Sequence, residues 1–169
     1  MVISPQIRDE CIKVSSEIPS AVFVGAAATL AHLGWGYRRT GDLDIAVEFV
    51  DDADEGKLNR LQYRKDPFTG TWYTPRGWKI DIYRKDVSGF STRQIGKDAV
   101  TISARKARFR VVRLEMLILM KHRAQRYDDI RALMQRKFNS IDWSYLESIA
   151  ADKVEAEEMR NVARVLRLL

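Results

Sequence analysis

Thr40-Gly41-Asp42-Leu43-Asp44-Ile45 opens a stretch, running to Phe49, in which apolar and other side chains alternate with a period of two. The period predicts a strand with Leu43, Ile45, Val47 and Phe49 on one face and Asp42, Asp44 and Ala46 on the other. Two carboxylates two residues apart on a strand point the same way. Like charges side by side repel unless a cation neutralises them. A hard cation such as Mg²⁺ takes oxygen ligands of this kind. A strand edge guarded by charges has the same spacing, so the pair takes its meaning from its neighbours.

Upstream, Ala21-Val-Phe-Val24 is β-branched and aromatic and ends at Gly25, which predicts a buried strand. The alanine-rich run Ala26 to Leu33 predicts a helix, stopped by Gly34-Trp35-Gly36. A strand that enters a helix through glycine presents unpaired backbone N–H groups to a phosphate. Downstream, Lys79-Ile-Asp-Ile-Tyr83 places a carboxylate, Asp81, between two isoleucines on a second strand. Aspartate is a poor strand former, so its presence there asks for a reason.

The remaining pattern fills in around these three features. A helix is expected over Pro5–Ser16, and another from the acidic turn Asp51–Glu55 to about Arg64, where Asp66-Pro67 ends it. Trp72-Tyr73 and Trp78–Tyr83 read as paired strands around Thr74-Pro75-Arg76-Gly77, with further strands near Ala99–Ser103 and Phe109–Val112. After Arg113 the period becomes helical. Leu114, Leu117, Ile118 and Lys121 share one face, and Ile130, Leu133, Met134 and Phe138 share the next. Asp142 caps a helix through Ile149. A last helix, about Asp152–Leu169, places Val154, Met159, Val162, Leu166 and Leu169 on a stripe.

The order glycine turn, helix, Asp-x-Asp strand, later carboxylate strand resembles the nucleotidyltransferases of the DNA polymerase β-like superfamily. Val24-Gly-Ala-Ala-Ala-Thr-Leu-Ala-His-Leu33 followed by Arg39-Thr-Gly-Asp-Leu-Asp-Ile45 resembles the small AbiEii-type members in particular, and Leu114–Leu133 adds to the likeness. The resemblance covers roughly residues 20–135. It implies an α+β fold: a nucleotidyltransferase-like mixed β-sheet flanked by helices (residues 1–112), with a C-terminal helical segment (113–169) packed on it as one unit. It also implies that Asp42 and Asp44 hold two Mg²⁺ ions, or Mn²⁺, and that Asp81 completes the catalytic one and accepts the acceptor's proton. Gly25 and the Ala26 amide would cradle the nucleotide phosphates. Lys121 would contact the triphosphate, with Asp129 orienting it. Two positions depart from the family: Ala26 stands where Gly or Ser is usual, and Arg126 where an Asp is usual. They bear on rate and substrate rather than on fold.

The composition agrees with a globular protein: 169 residues, 46% hydrophobic and 31% charged, with a net charge of +6. Residues 1–56 carry −6, 57–104 carry +6, 105–137 carry +8 and 138–169 carry −2. An acidic third therefore faces a basic middle suited to phosphate. A single cysteine, Cys11, excludes a disulfide framework, and it is expected to be an inert thiol. No apolar run reaches the length of a membrane span, and Met1–Glu10 lacks the order of a signal peptide, so a cytoplasmic location is expected.

Structural roles are expected for His32, and a solvated basic face for His122. Trp72 and Tyr73 are watched as base-stacking rings, and Arg105–Arg110 as a backbone contact for nucleic acid or, equally, a guarded edge strand. The expected function is NMP transfer from an NTP to an acceptor: RNA, a protein hydroxyl or a small molecule. The rival is a degenerate nucleotide- or RNA-binding module, such as half of a toxin–antitoxin pair. A third reading is a basic RNA-binding domain with structural carboxylates. The final apolar stripe leaves both core closure and a dimer open.

Overall fold

A computed structural model describes residues 4–104 and 107–167. Helix α1 (Ser4–Glu17) leads to strand β1 (Val22–Phe23), helix α2 (Gly25–Leu33) and strand β2 (Asp42–Ala46). A 3-10 turn at Val50–Ala53 precedes α3 (Glu55–Arg60), β3 (Arg64–Lys65), β4 (Trp72–Tyr73) and β5 (Lys79–Tyr83). Then come β6 (Asp86–Val87), β7 (Phe90–Ser91), α4 (Thr92–Asp98), β8 (Val100–Ala104) and β9 (Ala107–Val111). Helices α5 (Leu114–Arg123), α6 (Tyr127–Lys137), α7 (Trp143–Ile149) and α8 (Lys153–Arg167) finish the chain. No helix among the described residues is long and apolar enough to cross a membrane.

Seven strands form one mixed sheet in the order β3-β4-β5-β2-β1-β9-β8. Both residues of β1 are buried, as its unbroken apolar composition predicts for a strand covered on both faces. β1 runs antiparallel to β2 and parallel to β9. β2 and β5 are parallel neighbours, so a long crossover must join them; it carries α3 and the β3–β4 pair. Leu43 and Ile45 are fully buried on one face of β2. One hydrophobic cluster runs from Ile7 on α1 through the sheet to Met159 and Ala163 on α8, and includes Leu117, Ile118, Leu133 and Met134 of α5 and α6. Phe23 meets Phe109 edge-on at 5.7 Å between ring centres, and Trp35 meets Phe109 at 5.8 Å. Asp142 caps α7 through Tyr145 N–H, as its position predicts.

Some expectations change. Phe49 lies past the end of β2 and is exposed, whereas Ala46, assigned to the polar face, is buried. α3 ends at Arg60, and the chain turns at Gln62, which has φ 63°. Helix α4 falls in a stretch of sequence without a clear apolar period. In α8 the buried positions are Glu155, Ala156, Met159 and Ala163, the last three spaced three and four apart, and Val154 is exposed. Leu169 of the expected stripe lies outside the described residues, as do Arg105 and Lys106 of the basic run. Within that run Arg110 turns inward and donates to the Ser20 and Gly96 carbonyls. His122 is half-buried, and its Nε2 lies 3.0 Å from Oε2 of the exposed Glu158 on α8. His32 is structural, with Nε2 2.9 Å from the Val112 carbonyl, and Cys11 is buried, which pushes its thiol pKa up.

The β6–β7 hairpin is fastened to the helical segment by Arg123. Its guanidinium grips both oxygens of Glu155, at 2.7 and 2.8 Å, donates to the Ser88 carbonyl at 2.6 Å and covers the Phe90 ring. The hairpin turn needs two left-handed residues, Ser88 (φ 50°) and Gly89 (φ 83°). Arg123 holds Glu155 below the ordinary carboxylate range. A lowered folded pKa stabilises the protein above the unfolded pKa, and that stability is lost as pH falls through the folded value. Glu155→Gln is therefore expected to cost about 1 kcal/mol at neutral pH and to make little difference in acid. Urea melts of both proteins across the acid range check this, and an equal loss at every pH would contradict it.

Candidate functional site

The register of β2 against β5 assembles the site. Asp44 is the direct partner of Asp81, and Asp42 is the partner of Lys79. Residues two apart on a strand share a face, so Asp42, Asp44, Lys79 and Asp81 form a two-by-two array on one face. Tyr83, next along β5, shares that face, and its hydroxyl donates to Asp44 Oδ1 at 3.4 Å. Burial, then the Asp44 charge, push the Tyr83 hydroxyl up to about 12. The Lys79 ammonium donates to Asp81 Oδ2 at 2.8 Å.

Gly25 starts α2 with φ +56°, a conformation that favours glycine. A Cβ built there would stand 2.1 Å from Asp44 Oδ2, so the carboxylate lies directly against the glycine backbone. Val24 caps α2 without a side-chain hydrogen bond, and Ala26 N–H donates to the Asp44 carboxylate. Burial raises the Asp44 pKa first, then the Asp81 and Asp42 charges; Lys121 and the Ala26 N–H oppose them. Gly25→Ala is expected to cost about 1–2 kcal/mol for the backbone strain and to push Asp44 out of place. A thermal melt and a Mn²⁺ titration check this; native Mn²⁺ affinity in the variant would contradict the close approach.

The other bank is cationic. Lys121 of α5 donates to Asp129 Oδ2 of α6 at 2.7 Å, both side chains being buried, and Arg38 reaches the same oxygen at 3.1 Å. Arg126, just before α6, lines the same cleft of about 370 Å³ with Gly25, Ala26, Arg38, Thr40, Asp42 and Asp44. Lys121 lines it too, and Val87 and Met120 give it an apolar end. Gly25, Ala26, Asp42, Asp44 and Lys121 are thus brought to one cleft, and Asp129 sits behind Lys121. Asp81 stands beside Asp44 but is not part of the cleft lining. Among the described residues no three His, Cys, Asp or Glu side chains close on a common point to hold a metal.

Four contributors were not foreseen in the sequence: Lys79 and Tyr83, which period two puts beside Asp81, and Arg38 and the β6–β7 hairpin. Ser88-Gly89 is a turn signal that marks the hairpin. Nothing local announces that Arg38 would reach Asp129. Trp72 is the partner of Ile80, so it lies on the face opposite Asp81, buried with Lys65 above its ring; it does not stack a base in this cleft.

A solved structure shares this architecture. The crystal structure of an antigenic nucleotidyltransferase-like protein from Paracoccidioides brasiliensis matches with a TM-score of 0.56 and 13% identity. The match covers 79% of this chain and 77% of that one. No protein-family model matches the sequence, and no curated protein matches it significantly. The likeness shows the fold: α+β, with a nucleotidyltransferase-like mixed sheet flanked by helices.

Proposed function

We propose that this chain is a Mg²⁺- or Mn²⁺-dependent nucleotidyltransferase, of the small AbiEii-like kind, that moves an NMP from an NTP to an acceptor hydroxyl. The carrying observation is the register that sets Asp44 beside Asp81, with Gly25 pressed against Asp44. The donor set fits a divalent cation in its chemistry. Two oxygen-rich side chains on β2 and one on β5 share a face, and burial, then the Asp81 and Asp42 charges, raise the pKa of Asp44. Asp42, Asp44 and Asp81 would hold the ion, which when bound neutralises phosphate charge and orients the reacting oxygens.

The chain's own groups account for the rest. The Arg38, Lys121 and Arg126 side chains bind the triphosphate, with the first-turn amides of α2 other than that of Ala26, whose N–H is taken by Asp44. Asp129 aims Lys121. Asp81 takes the proton from the acceptor hydroxyl as its oxygen bonds to the α-phosphorus, and pyrophosphate leaves with the bonding pair of the broken P–O bond. The acceptor is RNA, a protein hydroxyl or a small molecule.

The test is incubation with each α-labelled NTP and Mg²⁺ or Mn²⁺, against total RNA, the protein itself and a metabolite extract. Label should appear in one acceptor class, with one pyrophosphate released per label. If NTP binds and no acceptor is labelled, the degenerate binding module is the correct reading. If no NTP binds, both fail.

A further inference from the structure

We infer that the site-bearing face of the sheet continues past the carboxylates into a track for a single-stranded polynucleotide, whose 3′-terminal hydroxyl is the acceptor; this rests on the transferase reading and narrows its acceptor to one class. The register carries the face outward. Lys79 is the direct partner of Tyr73 on β4, and Tyr73 is the partner of Arg64 on β3. Partners on adjacent strands share a face, so Arg64, Tyr73, Lys79 and Asp42 form one row with steps of about 4.8 Å. Asp81, two residues along from Lys79, lies roughly 7–8 Å diagonally from Tyr73.

The row alternates in chemistry. Arg64 and Lys79 are exposed, and Tyr73 between them is half-buried. Lys65, on the opposite face, is held by Glu55, whereas no acid pairs with Arg64 among the described residues. The Lys79 ammonium gives one of its three donors to Asp81, which leaves two for a phosphate. An open groove of about 820 Å³ is lined by Arg64, Tyr73 and the Thr74-Pro75 turn. The acid that lines it, Asp66, is turned into its own loop, accepting from the Phe68 and Thr69 N–H groups at 2.8 and 2.9 Å. A cation, a ring and a cation in line match the phosphate, base and phosphate of one strand. A ring takes a base only where that base is unstacked, which selects single strands over duplex. An acceptor without phosphates would leave both cations unused. A terminal nucleotide stacked on Tyr73 has its sugar within reach of Asp81. Its 3′ oxygen then bonds to the α-phosphorus as pyrophosphate leaves, and Asp81 holds the proton.

The experiment is fluorescence anisotropy of a short 5′-labelled single-stranded RNA on the full chain, beside the same sequence as single-stranded DNA and as duplex RNA. The tighter of the two single strands identifies the natural acceptor, and the duplex should bind more weakly than both. Tyr73→Ala should weaken single-strand binding about 5- to 100-fold, the worth of one stacked base, while Tyr73→Phe should keep it. Arg64→Ala should make the salt dependence shallower by about 0.7 in slope, one phosphate contact on a single strand. Duplex bound as well as single strands, or Tyr73→Ala matching wild type, overturns the inference. Circular dichroism establishes folding; if Tyr73→Ala does not fold, an unchanged salt slope in the exposed Arg64→Ala overturns it instead. A fluorescent non-hydrolysable NTP titrated into the wild type reads the nucleotide cleft separately. NTP binding without single-strand binding overturns the inference and leaves the transferase reading in place. Single-strand binding without NTP binding overturns that reading, and the acceptor role with it.

Discussion

Asp44→Asn is expected to abolish transfer, by on the order of 10³-fold or more, and at the same time to raise the stability of the metal-free protein. The two effects have one cause. Asp44 is largely enclosed against Gly25, with Asp81 beside it and Asp42 two residues away, so its charge is poorly solvated and repelled. A group whose pKa is raised on folding stabilises the protein in acid, and that contribution is lost as pH rises through the folded value. At neutral pH the ionised Asp44 therefore weakens the fold. Asparagine keeps the shape, its carbonyl oxygen accepting from the Ala26 amide and its NH₂ donating to the Tyr83 hydroxyl oxygen. The variant should gain about 1 kcal/mol in metal-free urea melts at neutral pH, lose that gain in acid and show no Mg²⁺-dependent rise in Tm. Transfer surviving in the variant would remove Asp44 from the chemistry. A less stable variant at neutral pH would mean the carboxylate is structural.

Asp129→Ala is expected to be the most damaging single change to the cationic bank. Lys121 and Asp129 are both buried and joined at 2.7 Å, and burial lowers the Lys121 pKa while Asp129 opposes that. Removing the carboxylate leaves an ammonium in a site with little water, a loss of about 3–5 kcal/mol. For a domain of this size that lowers Tm by roughly 10 °C or more. The double variant Lys121→Met with Asp129→Leu removes both charges and should recover most of the stability without recovering nucleotide binding. Differential scanning calorimetry with and without NTP separates the two. If the single variant melts within a degree or two of wild type, the pair is not buried in solution as described.

The sequence was informative wherever chemistry and period coincided. Asp42, Asp44 and Asp81 were legible because an acid inside an apolar strand pattern conflicts with strand preference and needs a cause. Gly25 was legible because a strand running straight into a helix needs a residue tolerant of unusual φ. Lys121 and Asp129 came from resemblance, eight residues apart on separate helices. Val154 was misassigned because a stripe drawn through an amphipathic helix depends on the starting position, and only packing against α6 and α7 fixes which side faces in. Trp72 was ambiguous because strand alternation gives two faces without saying which one carries the site.

By itself, then, the sequence determined the periods, the turns and the pairs of like charges within single strands, since those depend on residues a few positions apart. Only the tertiary structure decided that β2 and β5 are parallel neighbours in a register that puts Asp44 opposite Asp81 and Lys79 opposite Asp42. It also decided that Arg38 reaches Asp129 across 91 positions of chain. Register is a property of two strands and their shared core. Sliding one strand by a residue would send Leu43, Ile45, Ile80 or Ile82 to the wrong face, so burial of the first three, with Ile82 partly buried against the same core, selects the pairing on which the whole site depends.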